Sequence, residues 1–285
     1  MLIVAFCTLK LKHTNSQIKK AKFFMIEKIY MNFPTFYDLK YNINPWMSKN
    51  KKPNLDLAQK QWLSLYHTIK NWEIKLEVLE NYLSPDSVFI ADSGIIYGNK
   101  FVLSNFKFAE RKEETKGWQQ YFSKNYKVID VSSYGCYEGS GDSFIIKDFF
   151  ICGYGYRTCE SVAKKIGDIL ELQSILLELV DNNFFHLDTC LAFLDTENLI
   201  FYPPAISYLS KKYLENNFNC FDIPKEEAFM FGCNLVQHKK NLILQQGCNK
   251  IADIARKLDF QVYFQNLSEF IKAGGGAKCL TLKNN

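Results

Sequence analysis

Short apolar segments and longer amphipathic ones alternate along nearly the whole chain in an order that repeats: two strand-like segments, a helical one, another strand-like one. Strand patterns fall at Ser87–Ala91, Lys100–Ser104, Lys127–Val131, Ser143–Ile146, Phe149–Gly153, Leu191–Leu194, Leu199–Tyr202, Ala228–Phe231, Asn241–Leu244, Gln261–Phe264 and Cys279–Leu282. Helical periodicity covers Leu55–Leu83, Gly117–Asn125, Thr158–Val180, Ile206–Asn216 and Asn249–Lys257, with a short turn at Leu267–Lys272. Turns rich in Gly, Asn, Asp and Pro separate them, which is the signature of an α/β protein. Such a repeat suits a ring of small αβ units about an axis. Periodicity alone does not separate that ring from a doubly wound sheet.

No low-complexity linker interrupts the repeat, so one domain over residues 25–285 is expected, preceded by an extension over residues 1–24 whose role is open. The 285 residues, 47% hydrophobic and 23% charged, suffice for a substantial core. A net charge of +5, from 35 basic and 30 acidic residues scattered along the chain, is too mild to argue for nucleic acid. The apolar start Met1–Leu9 lacks a basic leader and is followed by Lys10, Lys12 and His13, and no stretch reaches membrane-spanning length. Nine cysteines, an odd number without a CxxC pair, fit free thiols in a reducing compartment and argue against structural zinc. The expected location is the cytoplasm, without a membrane or nucleic-acid partner; self-association into a homo-oligomer stays open.

Four motifs carry chemistry. Gly274-Gly275-Gly276-Ala277-Lys278-Cys279 delivers a cysteine after a glycine run that lets backbone approach a ligand closely. Phe184-Phe185-His186-Leu187-Asp188-Thr189, read as extended, puts His186 and Asp188 on one face as an acid/base and its orienting carboxylate. Tyr137-Glu138-Gly139-Ser140-Gly141-Asp142 sets two acids on a glycine-rich turn, and Pro85-Asp86-Ser87-Val88-Phe89-Ile90-Ala91-Asp92 reads as a strand ending in a carboxylate. Taken singly, each has a plain structural reading as a buried thiol, a satisfied histidine or an ordinary turn.

Together they resemble the guanidino-group-modifying, or pentein, superfamily of arginine deiminases, amidinotransferases and dimethylarginine dimethylaminohydrolases, the last most closely. The resemblance runs from about Glu27 to Leu282. It includes Met31-Asn32-Phe33-Pro34, Tyr41-Asn42-Ile43-Asn44-Pro45-Trp46-Met47, Phe108-Ala109-Glu110-Arg111-Lys112-Glu113-Glu114, Gly153-Tyr154-Gly155-Tyr156-Arg157-Thr158, Tyr202-Pro203-Pro204 and Phe231-Gly232-Cys233-Asn234.

The resemblance implies a propeller of five ββαβ units with the active site on its axis, no metal and no organic cofactor. It implies Cys279 as the nucleophile on the guanidinium carbon and His186 as the acid, then base, with Asp188 influencing its orientation. Asp92 and Glu138 would grip the guanidinium, Phe89 would pack on its face, and Arg111 and Arg157 would bind the substrate α-carboxylate; Asp86 is a further substrate-binding candidate. The turn Glu138-Gly139-Ser140-Gly141-Asp142 is longer than the Glu-Gly-Gly-Asp or Asp-Gly-Gly-Asp of many relatives, which leaves Asp142 as a rival to Glu138. Ala91 stands where some relatives carry glutamate, and Asp92 where some bacterial ones carry asparagine; a carboxylate there favours a cationic guanidine over a neutral ureido group. The expected reaction is hydrolysis of methylated arginine to citrulline and an amine, with arginine deiminase and amidinotransferase as rivals. A catalytically silent arginine-binding protein is disfavoured by the presence of all four reactive residues.

Overall fold

The structure, a computed structural model, describes residues 27–48, 50–79 and 84–284. The extension expected at residues 1–24 lies outside them. Among the described residues, fifteen strands form five sheets of three, each sheet ordered so that an antiparallel pair is followed, across a helix, by a parallel third strand.

The first sheet joins the two ends of the chain: β1 (Lys28–Asn32) runs parallel to β2 (Lys75–Leu79) after α1 (Leu55–Lys70), and antiparallel to the last strand, β15 (Leu282–Lys283). The second holds β3 (Gly94–Tyr97), β4 (Lys100–Leu103), α2 (Ala109–Phe122) and β5 (Lys127–Asp130); the third holds β6 (Ser143–Ile146), β7 (Phe149–Tyr154), α3 (Glu160–Leu170) and β8 (Gln173–Glu178). The fourth is β9 (Leu191–Phe193), β10 (Asn198–Phe201), α4 (Tyr208–Asn217) and β11 (Asn219–Asp222). After a single-turn helix α5 (Lys225–Ala228), the fifth is β12 (Val236–His238), β13 (Asn241–Gln245), α6 (Asn249–Lys257) and β14 (Gln261–Gln265); α7 (Ser268–Ile271) leads to the closing strand. Isolated bridges Ile96–Asn284, Asn105–Tyr137 and Leu179–Ile206 tie neighbouring sheets. This is the five-unit ββαβ propeller that the repeat and the resemblance implied.

The apolar pattern explains the layering. Middle strands such as β10, Asn-Leu-Ile-Phe, are buried on both faces because helices cover one side and the ring interior the other. Each crossover helix buries one stripe: Ala58, Trp62, Leu65 and Ile69 on α1, and Val162, Ala163, Ile166 and Leu170 on α3. Asn54 caps α1 by accepting the Leu57 N–H at 3.0 Å.

Several segments depart from the pattern read in the sequence. The periodicity over Leu55–Leu83 and Thr158–Val180 covers a helix and the strand after it. α1 stops at Asn71 and β2 follows; α3 stops at Glu171, which turns the chain at φ 59° without a glycine to mark it, and β8 follows. Ser87–Ala91 is no strand. It lies in two 3₁₀ turns, Pro85–Val88 and Ile90–Ser93. Ala228–Phe231 ends α5 in a turn with Phe231 at φ 62°, and only Leu282 of the segment Cys279–Leu282 pairs in a strand.

Ring closure rests on β15, where Leu282 is fully buried and the Asn284 side chain accepts the Lys28 N–H at 2.6 Å. Leu282→Ala is expected to cost about 2 to 5 kcal/mol of unfolding free energy in urea titration. A loss under about 0.5 kcal/mol, the range of neutral surface changes, would show that the closing strand does not hold the ring.

Candidate active site

Most residues singled out in the sequence converge because they lie on segments leading into the first strand of a unit: Asp86–Asp92 before β3, Glu138–Asp142 before β6, His186–Asp188 before β9, Cys279 before β15; Arg111 comes from α2 and Arg157 from the turn between β7 and α3. Asn234 occupies the corresponding place before β12. All are buried.

The two 3₁₀ turns at 85–93 place side chains as a strand would not. Side chains three residues apart eclipse in such a turn. Asp86, Phe89 and Asp92 therefore face one way, and all three line the same pocket with Arg111, Arg157, Phe185, His186 and Cys279. Phe89 lies along the glycine run: a Cβ on Gly275 would stand 2.4 Å from its ring, so only glycine fits there. Across the pocket, a Cβ on Gly141 would meet Asp92 Oδ1 at 2.5 Å and His186 Nδ1 at 3.1 Å, so that glycine admits both groups.

His186 donates or accepts at Nε2 with Glu138 Oε2 at 2.8 Å, and its Nδ1 is 3.7 Å from Asp92 Oδ1. Burial alone would lower its pKa, but the surrounding Asp92, Asp142 and Glu138 outweigh burial and raise it to about 9. The ring is an imidazolium at neutral pH. Burial likewise works against the Glu138 charge, yet Arg157 and His186 overcome it and hold that carboxyl far below its ordinary value. Arg157 donates from Nη1 to Glu138 Oε2 at 2.6 Å and from Nη2 to the Ile43 carbonyl at 2.8 Å, with its guanidinium between the Phe108 and Phe185 rings.

Glu138, expected to face the guanidinium of a substrate, is thus occupied as the partner of His186. Its rival Asp142 is turned away too, accepting Thr158 Oγ1 at 2.6 Å and the Leu187 N–H at 3.1 Å. Asp188, expected to orient His186, stands elsewhere: His186 caps the 3₁₀ turn Leu187–Thr189, which breaks the extended alternation and swings Asp188 to Cys279. The Asp188 oxygens lie 3.7 and 4.0 Å from Cys279 Sγ, and Oδ2 accepts from Lys278 Nζ at 3.2 Å.

Arg111 also departs from expectation. It forks onto Glu114, Nε to Oε1 and Nη2 to Oε2, both at 2.9 Å, and Nη1 donates to Asp92 Oδ2 at 2.6 Å. Most of its donors are committed, and its direct effect is to aim Asp92. The other oxygen, Asp92 Oδ1, has no hydrogen-bond partner among the described residues, nor has either carboxylate oxygen of Asp86. Burial raises the Asp86 carboxyl to about 7 against the pull of Arg111; the Tyr41 hydroxyl is near enough to feel its charge without an aligned hydrogen bond.

Asn234 and Lys278 stand within the sequence motifs, and nothing in those motifs points to their contacts. Asn234 Oδ1 accepts the N–H groups of Gly276 at 3.1 Å and Cys279 at 3.0 Å, while its Nδ2 donates to Cys279 Sγ at 3.1 Å. It fixes both the backbone and the sulfur of the cysteine. Lys278 reaches Asp188 and the Ser140 carbonyl from a separate cavity of about 400 Å³ behind the site. Burial, Asp188 and Asp92 push the Cys279 thiol well above its ordinary pKa. Asp92 and Cys279 thus line one pocket, and Asp188 stands beside the sulfur, an anionic setting that suits a cation. Among the described residues no cluster of His, Cys, Asp and Glu has the arrangement of a metal site, and no helix is long and apolar enough to cross a membrane.

Comparison with known proteins identifies the family and the fold. The family model described as N,N dimethylarginine dimethylhydrolase, eukaryotic, matches residues 29–284. A dimethylarginine dimethylaminohydrolase of Mycobacterium tuberculosis is 33% identical over 256 residues, covering 89% of this chain and 84% of that protein. The bifunctional arginine dihydrolase/ornithine cyclodeaminase AgrE of Nostoc is 34% identical over 257 residues, 88% of this chain but 37% of that longer protein. Among solved structures, the N-terminal domain of ArgZ bound to product, an arginine dihydrolase from cyanobacteria, superposes with TM-score 0.87 at 30% identity, covering 92% of this chain and 98% of that one. A dimethylarginine dimethylaminohydrolase adduct at 22% identity and TM-score 0.77 shares the fold. The chain therefore belongs to the N,N-dimethylarginine dimethylhydrolase family of the guanidino-group-modifying superfamily, hydrolases that cut carbon–nitrogen bonds of amidines.

Proposed function

We propose that the chain hydrolyses the guanidinium group of an arginine-type amino acid through a covalent intermediate on Cys279, and that its preferred substrate is unmethylated arginine. The observation that carries the reading is the pair of carboxylates, Asp92 and Asp188, flanking Cys279 while Glu138 is spent on His186.

A substrate cation seated between Asp92 and Asp188 replaces the repulsion that keeps the Cys279 thiol protonated, so the thiol loses its proton as the cation enters. The thiolate attacks the guanidinium carbon. His186 gives its proton to the departing nitrogen, the carbon–nitrogen bond breaks, and a thiouronium remains on Sγ. Water then adds with its proton passing to His186, and expulsion of Sγ leaves a ureido product. Glu138 acts through His186 by holding ring and charge. At the other end, the unpaired Asp86 carboxyl suits the substrate ammonium, and Arg157, with donors to spare, suits its carboxylate. The space left between these groups is about 20 Å³, close to that of one water, so substrate entry requires the pocket wall to shift.

Substrate choice follows from satisfaction of donors and acceptors. With a carboxylate on each side, both terminal nitrogens of arginine find acceptors, and methylating one leaves a buried oxygen unpaired. A second reading, dimethylarginine, is favoured by the family description and the mycobacterial relative; Ile43, Met47, Phe89 and Phe185 in the pocket wall would shelter methyl groups. Ammonia release from arginine is expected to exceed dimethylamine release from asymmetric dimethylarginine in kcat/KM. The opposite order would establish the second reading.

Two further outcomes follow from the site. The raised pKa of His186 means its proton contributes fully below the ordinary value of 6.5 and is lost as pH rises towards about 9, so stability declines across that window and kcat/KM falls above about pH 9. A basic limb centred near 6.5 would contradict the carboxylate cage. Glu138→Gln should move that limb downward, whereas Asp188→Asn should weaken arginine binding by about 2 to 5 kcal/mol without moving it. Calorimetry and pH profiles in which the two variants exchange these effects would return Glu138 to the substrate and Asp188 to the histidine.

A further inference from the structure

Two thiols outside the reacting centre are placed for chemistry of their own. Cys136 stands two residues before Glu138, and Cys159 two residues after Arg157. Their segments lie side by side. The Cys159 N–H donates to the Cys136 carbonyl at 2.9 Å, the Cys136 N–H donates to Cys159 Sγ at 3.4 Å, and the Glu138 N–H donates to Thr158 Oγ1 at 3.2 Å. A backbone hydrogen bond of this kind brings two Cα atoms to roughly 5 to 6 Å, within the span a disulfide bridges. The thiols are close enough that Cys159 helps to keep Cys136 protonated. Gly135 supplies the room: a Cβ there would stand 3.2 Å from both Cβ and Sγ of Cys159. Cys159 is exposed and Cys136 half-buried, whereas Cys152, Cys190, Cys233, Cys248 and Cys279 are buried.

We propose that Cys136 and Cys159 are a reversible dithiol–disulfide couple, oxidised by a small disulfide of the glutathione class, whose closed form staples the Arg157 turn to the Glu138 turn. Cys159, exposed and already beside its partner, attacks one sulfur of the oxidant as a thiolate. The oxidant's S–S bond breaks, one glutathione thiolate leaves and takes up a proton, and a mixed disulfide stays on Cys159. The Cys136 thiolate then attacks Cys159 Sγ, forming the internal bond and expelling the second glutathione. The protein loses two hydrogens with two electrons, and the oxidant gains both. Burial pushes the Cys136 thiol up, which fits its place as the second, resolving thiol. The bond closes a loop across 23 sequence positions between segments already joined by backbone hydrogen bonds, so it is expected to act on stability and to leave turnover intact.

The test is to incubate the full chain with oxidised glutathione, block remaining thiols, and map the peptides by mass spectrometry. The expected product is a linked peptide pair carrying Cys136 and Cys159, two hydrogens lighter, with a thermal midpoint raised by about 5 °C, both reversed by a dithiol reductant. Cys136→Ser should stop at a mixed glutathione disulfide on Cys159, and Cys159→Ser should give neither product. Arginine turnover, measured alongside, should be unchanged on oxidation. Failure to link the two peptides in the wild-type chain, a stable mixed disulfide on Cys159 with Cys136 left free, or linkage without a rise in midpoint would each overturn the proposal.

Discussion

Everything at the axis depends on Glu138 keeping a full charge with no exposure to water. A carboxylate in that position survives only if strong donors replace its hydration. Its Oε2 accepts from Arg157 Nη1 at 2.6 Å and from His186 Nε2 at 2.8 Å, so one oxygen joins the arginine side of the pocket to the acid/base. The network extends outward. Arg111 balances Asp92 and Glu114, and Lys278 balances Asp188. Asp86 and Asp142, each raised to about 7 by burial against the pull of Arg111 and His186 respectively, carry only part of a charge. A site built this way waits for one more cation.

That deficit links electrostatics to chemistry. The Cys279 sulfur is held by Asn234 and faces Asp188, and burial with two carboxylates keeps it a thiol until a positive group arrives. In the proposed reaction, activation of the nucleophile by its own substrate limits side reactions of a reactive thiolate and ties the reaction to guanidinium-like charge. The fold supplies the precision. Each unit delivers one short segment to the axis at the entrance of its first strand, and each segment is fixed by backbone bonds such as Phe89 N–H to Asp86 O at 2.9 Å and Thr189 N–H to His186 O at 3.1 Å.

The order of strands and helices was legible in the sequence because apolar runs and helical stripes alternate with clear turns, and β6 and α6 fall where the pattern puts them; the closed ring itself was implied only by the family resemblance. What failed were boundaries set by a single residue, and two segments, Ser87–Ala91 and Ala228–Phe231, that read as strands and fold as turns. Glu171 ends α3 in a left-handed conformation that no local signal announces, and the helical stripe of α3 runs on into the apolar residues of β8. Within the site, residue types were readable and partnerships were not. Alternation suggested that His186 and Asp188 face each other, but the 3₁₀ turn at Leu187–Thr189 rotates them apart and gives His186 to Glu138, forty-eight positions earlier. Asn234 carried only a short motif, because its function is to bond a backbone and a sulfur from another unit.

The central claim is that the carbon of a guanidinium becomes covalently attached to Cys279. Acid quenching of the enzyme with arginine in steady turnover, followed by proteolysis and mass spectrometry, reads it directly. The account predicts a peptide containing Cys279 heavier by arginine less ammonia, present only while substrate remains. Turnover at full rate with that peptide unmodified throughout, or the same adduct on a different cysteine, would contradict it.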